Sequence, residues 1–458
     1  MSSRVAELRF GTDGIRGVAN VDLTAEDLVA LGRACARFFG SSMIVVGRDT
    51  RLSGPMLQNA LMAGMASEGV EVVDLGVLPT PGVAWVAAAE GCPAAVVTAS
   101  HNPSTDNGVK LFGARGPKMA EADERALEAQ FHRMRDRDFS PRPSERKLGA
   151  ITSSDGAARY AGGLTRVLGR KRLDGLTVVV DAANGAASVV GPEVLRRLGA
   201  TVFAIAVEPD GSNINDGCGV TSPGALQRAV RLSGADAGVA FDGDADRLIA
   251  VSADGALVDG DQIVGICALD RHQRGALPGS AVVVTVMSNL GVRLALASAG
   301  VNVHECPVGD RHVARALECG GWLLGGEQTG HIIHRDVAGS GDGIVSAVEL
   351  LDVMRRQKRT LTDLAAEIPL LPQVVKSIPA PDPPAVIADP ALTGDLVSAR
   401  QAIGSDGRVL VRASGTESVV RLMVESGDPE RARRVAERVA ACIRRAASAA
   451  SDAALRAP

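Results

Sequence analysis

The stretch AFDGDADRLIA, Ala240 to Ala250, sets Asp242, Asp244 and Asp246 at alternating positions straight after an apolar run. Three carboxylates this close repel one another unless a cation sits among them. All-oxygen ligands suit a hard ion, Mg²⁺ or Ca²⁺. An EF-hand calcium loop starting at Asp242 needs glycine in its sixth place and glutamate in its twelfth. Those places hold Arg247 and Ala253. Mg²⁺ beside a phosphate is therefore the better reading, with Arg247 facing that phosphate. The plainer alternative is a solvated acidic turn.

Three further stretches carry polar groups in patterns that suit a phosphorylated sugar. RASGTESVVR, Arg412 to Arg421, offers guanidinium forks, hydroxyls and open backbone N–H groups in one loop. That chemistry suits a phosphate. It lacks the Gly-Lys-Ser/Thr ending of a nucleotide-binding P-loop, and a simple hairpin turn explains it equally well. GGEQTGHII, Gly325 to Ile333, alternates Glu327, Thr329 and His331 among glycines. If extended, it projects all three to one face, where they suit sugar hydroxyls and proton movement. FGTDGIRGVAN, Phe10 to Asn20, is a glycine-punctuated loop carrying Arg16. Just after it, Thr24 and Asp27 have the spacing of a helix-capping pair.

TASHNP, Thr98 to Pro103, closes an apolar strand, and Lys110 follows shortly after. A lone serine there is ordinarily a helix cap or turn residue. Beside a metal loop and phosphate loops, Ser100 with His101 and Lys110 would complete a phosphoryl-transfer centre.

These loops need elements to hold them, and the chain supplies a repeated one. SMIVVG, LTVVVDAANG and AVVVTVMSNLG each lead into a helix-like stretch and then a short strand. Continuous β-branched runs suit strands buried on both faces of a parallel sheet. Gly69, Gly199 and Gly300 stand where a helix would end. Three such units imply three related α/β domains with mixed, largely parallel sheets. A proline-rich segment, Leu370 to Val386, then leads to a strand–loop–strand pattern and a charged, alanine-rich helix, a small α+β domain. The expected domains are 1–150, 151–253, 254–367 and 368–458.

Composition narrows the partners. The chain has 458 residues, enough for several cores, with a net charge of −4 and only 2% aromatics. Weak net charge and few aromatics argue against nucleic acid. Seven scattered cysteines without a CxxC pair point to reduced thiols in a cytoplasmic protein. No signal-peptide pattern opens the chain, and no apolar run is long enough for a membrane span.

Together the motifs resemble the α-D-phosphohexomutase family, over nearly the whole chain and in family order. The resemblance implies four domains around one cleft, the fourth of the TATA-binding-protein-like type. It makes TASHNP the phosphoserine loop, with Ser100 the phosphorylated nucleophile. Asp242, Asp244 and Asp246 would then hold one Mg²⁺ together with an oxygen on Ser100. GEQTGH becomes the sugar-binding loop. RASGTES becomes the distal phosphate loop, with Arg412, Ser414, Gly415, Thr416 and Arg421. FGTDGIRG, VMSNLG and PVGDRHV lean towards the branch acting on glucosamine phosphates, and Gly309, Asp310 and Arg311 join the substrate-binding set. The implied reaction interconverts glucosamine 6-phosphate and glucosamine 1-phosphate through glucosamine 1,6-bisphosphate. That compound or glucose 1,6-bisphosphate would be the activator. Lys110 and His331 are the candidates for proton transfer, with Arg16 supporting the phosphate. The same mechanism on glucose or mannose phosphates is the alternative. The family also implies amino-sugar supply, a homodimer, and activation by a kinase or by autophosphorylation. Three positions depart from the family pattern: Thr329 replaces serine, Ser418 replaces proline, and His312 replaces tyrosine. None removes a proposed chemical group.

Overall fold

The computed structural model describes residues 11, 14–114, 116, 118–135, 147–404, 406–414 and 418–456. The chain forms two compact units, 1–287 with 296–367, and 288–295 with 368–458.

Among the described residues, the first unit holds three sheets. The six-stranded sheet runs Ile15–Val18, Asp106–Phe112, Ala94–Val97, Met43–Arg48, Glu71–Val77, Ile151–Ser153. Its last four strands are mutually parallel, and the first two are joined antiparallel. The five-stranded sheet runs Leu257–Val258, Leu248–Ser252, Ala237–Phe241, Thr177–Asp181, Thr201–Ile205. The four-stranded sheet runs Asn302–Cys306, Ala281–Thr285, Leu324–Gly326, Ile332–His334. The apolar runs read from the sequence are the central strands; Ala94–Val97, Ala237–Phe241 and Ala281–Thr285 are buried along their whole length. Burial on both faces explains why they lack the alternation of a half-exposed strand.

One local device recurs in all three sheets. A parallel strand ends, the chain turns, and the next strand returns antiparallel beside it. The returns are Ala94–Val97 to Asp106–Phe112, Ala237–Phe241 to Leu248–Ser252, and Leu324–Gly326 to Ile332–His334. Each turn contains a residue in the left-handed region: Ser100 at φ 51°, Ala245 at φ 56° and Gly330 at φ 92°. Ser100, the aspartate triad and the Glu327–His331 segment all sit on these turns.

Helix ends follow the sequence signals. Thr24 and Asp27 form a reciprocal capping box on Ala25–Phe39. Gly69, Gly199 and Gly300 all take positive φ.

The second unit has an antiparallel sheet in the order Gln373–Pro379, Val419–Ser426, Gly407–Ala413, with the helices Pro390–Ile403 and Pro429–Arg456. The proline-rich segment supplies the edge strand Gln373–Pro379, where a missing N–H is tolerated. Residues 288–295 belong to this unit through side-chain contacts. Asn289 Nδ2 donates to the Leu371 carbonyl at 3.0 Å, and its Oδ1 accepts from the Leu371 amide at 2.9 Å. Buried Glu425 accepts from Arg408 Nε at 2.7 Å and from the Leu290 amide at 3.2 Å.

Candidate active site

Ser100 is fully buried, and its hydroxyl donates to Asp242 Oδ2 at 2.6 Å. His101 Nδ1 lies 3.2 Å from the same Oγ. The serine amide donates to Thr98 Oγ1 at 2.9 Å, and Thr98 Oγ1 donates to Asp49 Oδ2 at 2.7 Å. Arg51 lies behind the loop, wholly buried. Its Nε donates to Asp49 Oδ2 at 2.9 Å. Its Nη2 donates to the carbonyls of Ser100 at 2.9 Å and Asn102 at 2.8 Å. Its Nη1 donates to the carbonyls of Asp106, at 2.9 Å, and Pro103. Asn215, from the five-stranded domain, reaches the same two carbonyls through Nδ2, Ser100 at 2.9 Å and Asn102 at 3.1 Å. Arg16 Nη1 donates to Asn102 Oδ1 at 3.2 Å.

Magnitudes explain how a serine stays left-handed here. That conformation costs about 1–2 kcal/mol. Hydrogen bonds to a charged group return about 1.5–3 kcal/mol each. Several on one short loop outweigh the backbone cost and help offset the desolvation of the Asp49–Arg51 pair. Gly243 is required opposite, because a Cβ there would lie 2.6 Å from the Ser100 carbonyl oxygen.

Asp242, Asp244 and Asp246 are buried, each with a carboxylate oxygen within 4.8 Å of the others'. Lys110 Nζ lies between two of them, 2.8 Å from Asp244 Oδ2 and 2.7 Å from Asp246 Oδ2. Thr80 Oγ1 donates to Asp244 Oδ2 at 2.5 Å. The Oδ1 atoms of Asp244 and Asp246 are buried without hydrogen-bond partners. Unpaired buried carboxylate oxygens are costly, so this donor set fits a hard divalent cation. Burial, then Asp246 and Asp244, hold the Asp242 carboxyl well above its ordinary range. Burial also opposes the Asp246 charge, but Lys110, His331 and Arg247 outweigh it and bring that carboxyl well below the ordinary range.

A cavity of about 480 Å³ opens beside the triad, lined by Asp246, Arg247, Gly309, Asp310, Arg311, Glu327, Thr329 and His331 among others. The sequence reading is corrected at one point. Residues 327–331 are not extended; they form a turn through Gly330. A Cβ at Gly330 would lie 2.1 Å from the Leu248 carbonyl oxygen, so the turn packs against the strand that follows the triad. The three side chains still reach one cavity, by curvature of the turn rather than by strand alternation. Glu327 Oε1 accepts from the Gly309 amide at 2.9 Å, tying two substrate-loop candidates together.

His331 lies between two carboxylates, its Nδ1 3.8 Å from Asp246 Oδ2 and its Nε2 3.5 Å from Asp310 Oδ2. Burial lowers its pKa, but Asp310 and Asp246 more than offset this, and the imidazole is raised above its usual value. His101 behaves oppositely. Burial, then Arg247 and Arg16, push it down to about 4.

In the second unit, Arg412 and Arg421 face each other directly across the hairpin. Arg412 Nε is buried without a hydrogen-bond partner, and burial and Arg421 lower its pKa. Paired guanidiniums in register suit an anion. Ser414 is held by its amide, which donates to the Val419 carbonyl at 3.0 Å. Gly415 and Thr416 lie outside the described residues.

Sequence reading missed Asp49, Arg51 and Asn215, which support Ser100, and Thr80, which supports Asp244. It also missed Glu124, which pairs with Arg311 at 2.5 Å and lines the cavity. For Arg51 a signal existed, since GRDTR places two charges immediately after a buried strand. For Asn215 no local signal did.

Known proteins share this fold. The models of the phosphoglucomutase/phosphomannomutase alpha/beta/alpha domains I, II and III fit residues 7–138, 158–255 and 259–370, and that of the C-terminal domain fits 378–441. The chain is 49% identical over 447 residues to a phosphoglucosamine mutase of Acidothermus cellulolyticus, covering 95% of each chain. A crystal structure of a phosphoglucomutase/phosphomannomutase family protein from Burkholderia thailandensis superposes with a TM-score of 0.81 at 27% identity, over 97% of this chain and 98% of that one. The N-acetylphosphoglucosamine mutase of Aspergillus fumigatus, solved with GlcNAc-6P and magnesium, shares the fold with a TM-score of 0.71 at 18% identity, over 96% of each chain.

Proposed function

The chain belongs to the phosphoglucomutase/phosphomannomutase family, and on that premise we infer that it interconverts glucosamine 6-phosphate and glucosamine 1-phosphate through a phosphoserine at Ser100. The observation that carries this reading is the 2.6 Å approach of the Ser100 hydroxyl to Asp242, at the edge of a buried aspartate triad. Bound at Asp242, Asp244 and Asp246, Mg²⁺ would supply positive charge to the transferring phosphoryl group.

The remaining work falls to side chains. In the first half-reaction the sugar O1 attacks the phosphorus on Ser100. The P–O bond to Ser100 breaks, a P–O1 bond forms, the O1 proton passes to a base, and the departing Ser100 oxygen takes up a proton. The product is glucosamine 1,6-bisphosphate. After it turns over, Ser100 Oγ attacks the phosphorus at O6: a P–Oγ bond forms, the P–O6 bond breaks, the serine proton is passed on to O6, and glucosamine 1-phosphate leaves. Arg247 neutralises charge on the group in transit. Glu327 and Thr329 read the sugar hydroxyls. Arg412 and Arg421, with the Ser414–Thr416 loop, take the phosphate that is not reacting. His331, raised between two carboxylates, and Lys110, ion-paired to Asp244 and Asp246, are the candidates for proton transfer.

The test is kcat/KM for glucosamine 6-phosphate, glucose 1-phosphate and mannose 1-phosphate, with Mg²⁺ and glucose 1,6-bisphosphate. The reading expects preference for the glucosamine substrate and its loss in Ser100→Ala. Preference for glucose or mannose keeps the chemistry and reassigns the substrate. Undiminished activity in Ser100→Ala overturns the mechanism.

A further inference from the structure

We propose that Arg51 and Asn215 are positioning residues for phosphoryl transfer: together they hold the Ser100 loop in the one backbone state that aims Oγ at the aspartate triad. The proposal rests on the reading of Ser100 as the phosphoryl carrier.

Arg51 has five N–H donors. All of them are placed: one on Asp49, and four on the carbonyls of Ser100, Asn102, Pro103 and Asp106. A guanidinium with four of its five donors on one loop fixes that loop's path. Asn215 comes from a different domain and donates to two of the same carbonyls. The Ser100 carbonyl thus accepts from two side chains, and the residue's left-handed φ of 51° sets its hydroxyl towards Asp242. Neither Arg51 nor Asn215 lines the sugar cavity. Their effect on the reaction therefore runs through Ser100. It should appear in the rate of phosphoryl transfer and not in sugar binding. A fixed nucleophile also suits a reaction in which one serine must meet phosphate at two different sugar positions.

Asn215 itself sits at φ 60°, so the clean variant is Asn215→Gly, which tolerates that backbone and removes the donor. Asn215→Asp keeps the shape and turns a carboxylate towards two carbonyl oxygens. Arg51→Lys keeps the charge and loses the fork. The measurements are the rate of phosphate incorporation at Ser100 from glucose 1,6-bisphosphate by intact mass, steady-state kcat and KM, and Tm. Misplacement by about 1 Å can cost on the order of 10²-fold. The expected result for Asn215→Gly is a fall in kcat and in phosphorylation rate of about that size, with KM within about twofold and at most a small fall in Tm. Asn215→Asp and Arg51→Lys should be slower still. Phosphorylation of Asn215→Gly at the wild-type rate overturns the proposal, as does a kcat loss that only tracks a fall in Tm. Wild-type protein that gains no phosphate at Ser100 overturns the carrier reading as well, so the two failures separate.

Discussion

The Ser100 hydroxyl donates to Asp242 Oδ2 across 2.6 Å, although 142 positions separate the two residues. One comes from the return turn of the six-stranded sheet and the other from the equivalent turn of the five-stranded sheet. Asp242 also belongs to the carboxylate triad that would hold the cation. Asp242→Asn keeps the size and removes the charge. It should lower kcat by at least about 10²-fold, a loss of the kind seen when a group acting on the transition state is deleted. Steady-state assays with saturating Mg²⁺ check this. A variant within tenfold of wild type would remove Asp242 from the mechanism.

Lys110 neutralises the triad from within the protein. Its side chain is 2% exposed and touches both Asp244 and Asp246. Deleting one partner of a buried ion pair costs about 3–5 kcal/mol, because the other charge is left uncompensated. Lys110→Met should therefore lower Tm clearly in EDTA. Adding Mg²⁺ should raise its Tm by more than it raises that of wild type, since the variant offers the cation a more negative site and bound ligand stabilises by mass action. Thermal melts with and without Mg²⁺ decide it; equal Mg²⁺ shifts in the two proteins would contradict the assignment of the triad as the cation site.

Much of this site was legible in the sequence, and the missing parts share a physical cause. The aspartate alternation, the serine after a buried strand and the strand–loop–strand around Arg412 are local patterns, and each occupies the element expected of it. The repeated strand–helix–strand phrase likewise foretold the three sheets. Asn215 was invisible because its role depends on a contact with Ser100 115 positions away. Glu124 was invisible for the same reason, reaching Arg311 across 187 positions. The error at Glu327–His331 was one of period: alternation among glycines reads as a strand, yet Gly330 at φ 92° makes a turn. Side chains on a tight turn converge as those of a strand do, so the grouping was right for the wrong geometric reason.

Glu124 holds Arg311 at the cavity wall, with side chains 13% and 21% exposed. Burial raises the Glu124 carboxyl, and Arg311 opposes the rise. Glu124→Gln leaves the guanidinium without that charge partner and loosens its placement. Loss of one largely buried contact of about 1.4 kcal/mol is a factor of ten. We expect KM for the sugar phosphate to rise on the order of tenfold with kcat little changed. Michaelis–Menten parameters for the variant give the answer, and an unchanged KM would assign the pair to fold support alone.

Asp342 and Tyr160 form a buried pair whose protonation should be visible in stability. Tyr160 Oη donates to Asp342 Oδ2 at 2.5 Å, and Asp342 Oδ1 caps the helix Gly343–Gln357 by accepting from the Ile344 and Val345 amides at 3.0 Å each. Burial pushes the Asp342 carboxyl up to about 6 from an ordinary 3.8, against the pull of these hydrogen bonds. The folded state therefore binds its proton more tightly than the unfolded chain does. Stability from this group is fully present below pH ~4, where both states are protonated, and is lost as pH rises through about 6. A rise of about two units corresponds to on the order of 3 kcal/mol. Asp342→Asn cannot titrate but can still cap the helix. Relative to this variant, wild type should be most favoured near pH 4.5 and least favoured above pH 7. Paired thermal melts at pH 4.5, 6 and 7.5 measure the difference in Tm. A difference that stays constant across that range would mean Asp342 keeps its charge throughout, and burial would not be what governs it.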